Sequence, residues 1–350
     1  MKHTNNSLVR IALVSVLVLM IAGSAAAIGL GEGAKLGLDG SFASPMWSPD
    51  GRTLALSGEG YDGLYTTDLF GNIRSISEAP LSGWRPSWSP DGRSLAFRTR
   101  DDIGMGMQLN VAGPDGEVKQ ISPTLNDLFP GKWGKDGLTY RSGDELITVN
   151  EKGEVVKSFS LSQGRGMLAR IASVAGSLMM GQVTGSTFTA FSLFMPSQTA
   201  DGMPAGSGVY TDPDNQIWIV DEDGNKKKLL DVEDEPGYFN PVESKDGDYA
   251  VSGLSGNLYV TDPQTGDTTN LGAGCNGTWS PDGRYLIFER TSDNGHELTS
   301  GDLWIASGDG TFMQQLTDTS GIETQPSWSP DGQWLVYMID GVVILAPVQP

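Results

Sequence analysis

The chain has 350 residues, with 43 acidic against 23 basic side chains and a formal charge of −20. That balance repels nucleic acid and anionic lipid, and suits a cationic partner, a divalent cation or plain solubility. One cysteine, Cys275, excludes an internal disulfide, and His3 and His296 alone cannot build a His-rich metal centre.

Residues 1–27 open with Lys2 and Arg10, continue through an apolar stretch from Ile11 to Ala22 and end in an A-x-A pattern at Ala25 to Ala27. This is the form of a secretory signal peptide, an apolar leader helix. The competing reading is an uncleaved anchor, because Ile11 to Leu30 is long enough to span a bilayer. The expectation is export to the periplasm or beyond, with membrane contact only through this segment if it stays attached. The roughly 320 residues that follow can bury about three quarters of their unfolded surface and need no covalent or metal staple.

From Met46 the sequence reads MWSPDGRTLAL, and near copies follow at Pro86 (PSWSPDGRSLAF), Thr278 (TWSPDGRYLIF) and Pro326 (PSWSPDGQWLVY). Each reads as strand, tight turn, strand. Pro presets the first corner of a type I turn, Asp50, Asp91, Asp282 or Asp331 caps it, and Gly51, Gly92, Gly283 or Gly332 takes the left-handed corner. Trp47, Trp88, Trp279 and Trp328 end one apolar run, and an alternating run such as Leu54, Leu56 opens the next. Weaker copies stand at Lys132 (KWGKDGLTY, with Trp133, Asp136 and Gly137), Arg170 (RIASVAGSLMM) and Val242 (VESKDGDYAV). A second hairpin follows each unit, as in QIWIVDEDGNKKKLL from Gln216, so each repeat is four strands.

The turn glycines are 36 to 49 residues apart, except for 71 between about Gly176 and Gly247. Four short strands at that period are β-propeller blades, since one small sheet needs a neighbour on each face. The long interval shows only four strands, so it reads as one blade with an insertion at 186–215 between its second and third strands. The expected fold is therefore all-β, a seven-bladed propeller of four-stranded antiparallel blades forming one domain over residues 31–350, with six or eight blades as alternatives. The last repeat is one strand short, and residues near Lys35 to Asp39 are expected to supply it, hiding two sheet edges.

These W-S-P-D-G turns and their second hairpins, from about Leu36 onward, resemble the TolB-like family of WD-repeat-like propellers. The resemblance implies the ring fold. It implies no single activity, because propellers serve as binding scaffolds, lyases, hydrolases and peptidase gates alike. Some family members carry an additional α/β domain before the propeller, and peptidase relatives carry a hydrolase domain. Fewer than twenty residues lie between the leader and the first blade, and the sequence stops within the last repeat, so neither is expected.

The search for chemistry yields few candidates. His296, in RTSDNGHELTSGD between the second and third strands of the sixth blade, is one imidazole base or one solvated loop residue. No G-x-S-x-G elbow is present, and Cys275 reads as a small buried hydrophobe. The motif aspartates sit at one corner of separate blades and so serve turns, and the motif tryptophans serve packing between blades. Asp221, Glu222, Asp223 and Asn225 offer oxygen ligands beside a glycine, which fits calcium or, more simply, a hairpin turn. No other cofactor is expected. The insertion carries Phe188, Phe191, Phe194, Met195 and Tyr210, a binding surface over the mouth of the ring or a hairpin packed on its own blade.

The reading that follows is an exported, non-catalytic scaffold that binds a protein or peptide through its mouth loops. The alternatives are a propeller lyase or hydrolase using His296 on a carbohydrate or cyclic substrate, and an envelope structural module whose partner is a wall polymer.

Overall fold

The computed structural model describes residues 28–349 apart from 101–103, 105, 126–127, 129–130, 135–136, 144, 151, 161–207, 213 and 222–224. The leader therefore lies outside the described residues, as do Asp136, Phe188, Phe191, Phe194, Met195 and Asp223. Every strand belongs to one of seven antiparallel sheets, the blades of a propeller ring, and the one helical turn among the described residues is Glu59–Tyr61. In chain order the blades span residues 42–77, 87–120, 132–160, 208–228, 238–273, 275–315 and 323–349. Blade 4 shows three strands within the described residues, Gly208–Thr211, Ile217–Val220 and Lys226–Lys228.

In the blades whose four strands are described, the first strand is the innermost. Phe42–Trp47 touches Glu323–Trp328, and Cys275–Trp279 touches Tyr238–Glu243. Blades hold together because their strands are apolar on both faces. On the strand Tyr285–Asp293, Leu286 and Phe288 pack against Val242 and Leu258 of blade 5, while Ile287 between them packs against Trp328 and Leu335 of blade 7. The period of two in side-chain direction thus feeds two cores at once. Three of the motif tryptophans complete these seams by donating from Nε1 to the inner strand of the preceding blade. Trp88 reaches Met46 O at 3.4 Å, Trp133 reaches Ser87 O at 3.1 Å and Trp279 reaches Val242 O at 3.1 Å.

Immediately after the tryptophan a single corner is repeated. Ser48 Oγ donates to Asp50 Oδ1 at 2.6 Å, the same carboxylate accepts the Arg52 N–H at 3.1 Å, and Gly51 has φ +70°. Asp91, Asp282 and Asp331 repeat the arrangement in their own blades. The third copy departs from it. Its tryptophan pairs with a leucine five residues on (Trp133↔Leu138) rather than seven (Trp47↔Leu54), because the sequence itself is two residues shorter there. Gly137 consequently begins a strand at φ +135° instead of forming a turn corner, and a Cβ on it would stand 2.0 Å from Val149 O.

The beginning of the chain closes the ring, somewhat earlier than Lys35 to Asp39. Gly29–Leu30 and Ala34–Lys35 pair antiparallel with the last strand, Val342–Gln349, and the Leu36 N–H donates to Val343 O at 3.0 Å. Gly31 and Gly33 let this segment ride over Pro347 and Ile344, where a Cβ would come within 2.7 Å of either side chain. A local bond from Leu38 N–H to Leu36 O then turns the chain away, so the strand ends before Asp39. Leu36 is buried with Trp47, Leu54, Val336 and Met338, sealing blade 7 to blade 1.

The insertion ends earlier than the sequence suggests. Residues 208–211, read from sequence as part of a loop reaching Asn215, form a strand in register with Ile217–Val220. Its side chains Val209 and Tyr210 pair with Ile219 and Trp218, and the turn between them is capped by Asp212, whose carboxylate accepts the Asp214 and Gln216 N–H groups. Only the part before residue 208 remains as loop in the sequence reading, and it lies outside the described residues.

Candidate functional site

The loops joining the second and third strands, and those joining one blade to the next, meet at the end of the ring opposite the W-S-P-D-G corners. At this mouth the inner strands, or the residues leading into them, share a backbone feature. Ser44, Arg85, Asn240, Asn276 and Gln325 each stand three residues before the position held by Trp47, Trp88, Glu243, Trp279 and Trp328, and each is left-handed with φ between 51° and 57°. In four of these strands the pairing register shifts at that point, a bulge that re-aims the side chain. Asparagine visits this conformation readily, but for serine, glutamine and arginine it costs on the order of 1–3 kcal/mol each, a strain that has to be held by its surroundings.

What holds it is a run of hydrogen bonds from blade to blade. Asn240 Nδ2 donates to Asn276 Oδ1 at 3.3 Å, and Asn276 Nδ2 donates to Glu289 Oε2 at 3.2 Å. The Gln325 N–H donates to Glu289 Oε1 at 2.7 Å, and the Ser44 N–H donates to Gln325 Oε1 at 2.7 Å. The arc crosses blades 5, 6, 7 and 1 and centres on a carboxyl group with no exposed surface. Burial pushes Glu289 up to about 8, against the opposing pull of the Gln325 and Asn276 bonds. Cys275 is buried close by, and burial followed by the Glu289 charge raises its thiol well above the ordinary range, which suits an inert side chain.

The other side of the mouth is cationic. Arg98, on the second strand of blade 2, is only 6% exposed, yet among the described residues its partners are the Leu128 carbonyl at 3.1 Å from Nη1 and the Trp84 ring, 3.2 Å below the guanidinium. Its Nε has no hydrogen-bond acceptor. Burial, with like charge from Arg85 and Arg100, holds its pKa well below the usual arginine range. Arg85 also lies over Trp84, at 5.3 Å, and burial brings it down to about 10. Tyr61, in the neighbouring loop of blade 1, is buried, and its hydroxyl is raised by that burial, lowered by Arg85 and raised by Glu289.

The residues singled out from sequence are placed elsewhere. His296 is exposed at the tip of a tall hairpin between Tyr285–Asp293 and Leu298–Ser307, where its backbone N–H donates to Asn294 Oδ1 at 3.0 Å. Tyr210 is half-buried on its strand with the Arg141 guanidinium 5.8 Å from its ring, and burial raises its hydroxyl. Asp221 caps its own turn, accepting the Asn225 N–H at 2.7 Å and the Asn225 side-chain amide at 2.8 Å. Asp68 holds Asn72 in the same way in blade 1. Among the described residues no three His, Cys, Asp or Glu side chains are grouped to hold a metal ion. Sequence reasoning passed over Ser44, Arg85, Asn240, Asn276 and Gln325. Their shared offset from the motif tryptophan was the available signal, visible once the repeats are set in register.

No protein-family model and no curated protein matches the chain. Similarity appears at the level of solved structures. A streptogramin B lyase superposes with a TM-score of 0.61 at 12% identity, covering 92% of this chain and 98% of that one. A chain of the mitotic checkpoint complex superposes at 0.58 and 13%, covering 92% of both. TolB from Acinetobacter baumannii is 19% identical with a TM-score of 0.47, over 82% of this chain, which spans 57% of TolB's length. At these identities the likeness is one of fold alone: the protein is a β-propeller. No helix among the described residues is long and apolar enough to cross a membrane.

Proposed function

We propose that this protein is an exported propeller scaffold that holds a peptide segment of a partner protein at the mouth of the ring. The observation that carries the reading is the convergence of strained, left-handed Ser44, Arg85 and Gln325, all half-buried, from three consecutive blades onto one opening. Strain of this kind is retained where a site is pre-organised. Carboxamide and hydroxyl groups at such a position match the donors and acceptors of a peptide backbone, and rigid mutual bonding lowers the ordering cost of binding. Export rests on the leader pattern of residues 1–27.

A random peptide library panned against the immobilised full-length chain tests this. Enriched peptides are expected to bind with one-to-one stoichiometry by calorimetry. Gln325→Asn, which keeps an amide and tolerates the left-handed backbone but shortens its reach, should weaken them about tenfold, a loss of roughly 1.4 kcal/mol. Phe70→Ser, at an exposed turn on the opposite end, and His296→Ala should leave binding as it was. Peptides indifferent to Gln325→Asn, or no enrichment at all, would discard the reading.

A further inference from the structure

We infer that the Arg85, Arg98 and Trp84 group is a carboxylate-receiving site, so that the peptide held at the mouth presents an acidic side chain or a free C-terminus. This deepens the scaffold reading and rests on it.

The first ground is a missing partner. Arg98 is 6% exposed, and no carboxylate pairs with it among the described residues, although the chain carries 43 acidic side chains. A guanidinium withdrawn from water is ordinarily paired, because its desolvation is repaid only by an opposite charge or a full set of acceptors. Here one carbonyl and a ring face are supplied, and the Nε donor is left over. An incoming carboxylate oxygen supplies the missing acceptor, and arginine matches it in plane and in charge.

The second ground is construction. Trp84 and Arg85 belong to the linker between blades 1 and 2, which contains two left-handed non-glycine residues, Leu81 at φ +64° and Arg85 at φ +55°. The linker is tied to blade 1 by Leu81 N–H to Asp62 Oδ1 at 3.0 Å and Gly83 N–H to Tyr61 O at 3.0 Å, and to blade 2 by Arg100 N–H to Pro80 O at 3.3 Å. Trp84 then lies beneath both guanidinium groups, at 3.2 and 5.3 Å, and fixes their planes. Arg85 and Trp84 are half-buried and open to solvent at the mouth, with Arg98 behind them. The acidic surface does not decide the matter, because exposed charges beyond about 8 Å are screened at physiological salt while the buried Arg98 is screened far less.

The experiment titrates the full-length chain by calorimetry at physiological salt with three probes: tetra-aspartate blocked at both ends, tetra-asparagine blocked at both ends, and tetra-asparagine with a free C-terminus. Blocked tetra-aspartate, the free-ended peptide or both should bind, and blocked tetra-asparagine should not. The two carboxylate probes separate a side-chain source from a chain terminus. Arg98→Met and Arg85→Gln should each weaken binding at least tenfold. Arg85→Gln places in blade 2 the residue that blade 7 already carries at this position, which safeguards folding. Without ligand, Arg98→Met should melt no lower than the parent, since it removes a buried charge that no carboxylate among the described residues offsets. Equal binding of the blocked neutral peptide, unchanged affinity in both variants, or a lowered melting point with unchanged affinity would overturn the inference. If library peptides bind but carboxylate probes do not, this inference fails and the scaffold stands; if no peptide binds, both fail.

Discussion

Blades 5, 6, 7 and 1 on one side of the axis, and blades 2 and 3 on the other, are built from the same repeat to different standards. On the first side the inner strands run five or six residues, and the buried Glu289 accepts from a backbone N–H and an amide. On the second side the inner strands are Ser87–Trp88 and Lys132–Gly134, two and three residues long, Trp88 and Trp133 are half-buried, and Arg98 has no carboxylate partner among the described residues. The difference shows where the ring's stability is concentrated and where it has been left incomplete. Sites that must accept a ligand are drawn from the less satisfied part of a structure.

The most damaging test of that contrast is removal of residues 28–36. It strips Leu36 from the seam between blades 7 and 1, takes Leu30 from beside blade 7 and uncovers the edge of the last strand in the well-bonded half. Lost burial of this size is worth at least about 5 kcal/mol, and scanning calorimetry should show a melting point lower by about 10 °C with aggregation on heating. An unchanged transition would mean that closure by the first strands is dispensable.

Next in size is the comparison of equivalent indoles. Trp279 is 6% exposed, packs with Leu286 and Phe288 and donates to Val242 O. Trp279→Ala should cost about 3–5 kcal/mol, the range for a buried aromatic. Trp133→Ala, in the shorter and more open third motif, should cost about half as much. Urea unfolding of the two variants measures the difference, and equal losses would erase the distinction between the two halves.

The fold was legible because its signal is periodic: one corner recurs with Ser, Asp and Gly, and the same bonds are found at Asp50, Asp91, Asp282 and Asp331. The mouth was not legible, for two physical reasons. Its residues are chemically unlike one another, a serine, an arginine, two asparagines and a glutamine, so only their place in the repeat unites them. Glu289 and Arg98 lie on second strands, where an ionisable residue in an apolar run looks like an outward-facing position. Their burial follows from the way blades stack, which depends on all seven at once. His296, by contrast, was conspicuous because it is rare, and rarity carried no information about where the hairpin would put it. The KWGKDG copy shows the opposite failure, since its likeness hid a two-residue shortening that moves Gly137 out of the corner.

The mildest change, Glu289→Gln, tests the well-bonded half from within. The carboxyl group is held at about 8, against 4.5 for an ordinary glutamate, and burial is the main cause. Below about pH 4.5 the folded and unfolded chains both carry the proton, and the group contributes no pH dependence. Between about 4.5 and 8 the unfolded chain releases the proton while the folded chain keeps it, so stability falls as pH rises, and it levels off above 8. Glutamine keeps an acceptor for the Gln325 N–H and cannot ionise. It should therefore match the parent at pH 4.5 and exceed it by about 2 kcal/mol at pH 8. The turn aspartates Asp68, Asp91, Asp282 and Asp309, whose pKa values are lowered, lose their contributions only at lower pH and do not overlap this window. Denaturant melts at the two pH values decide it. Parallel profiles for the parent and Glu289→Gln would show that the carboxylate is ionised in place, and the arc would then be a charged network on the same footing as the arginines across the axis.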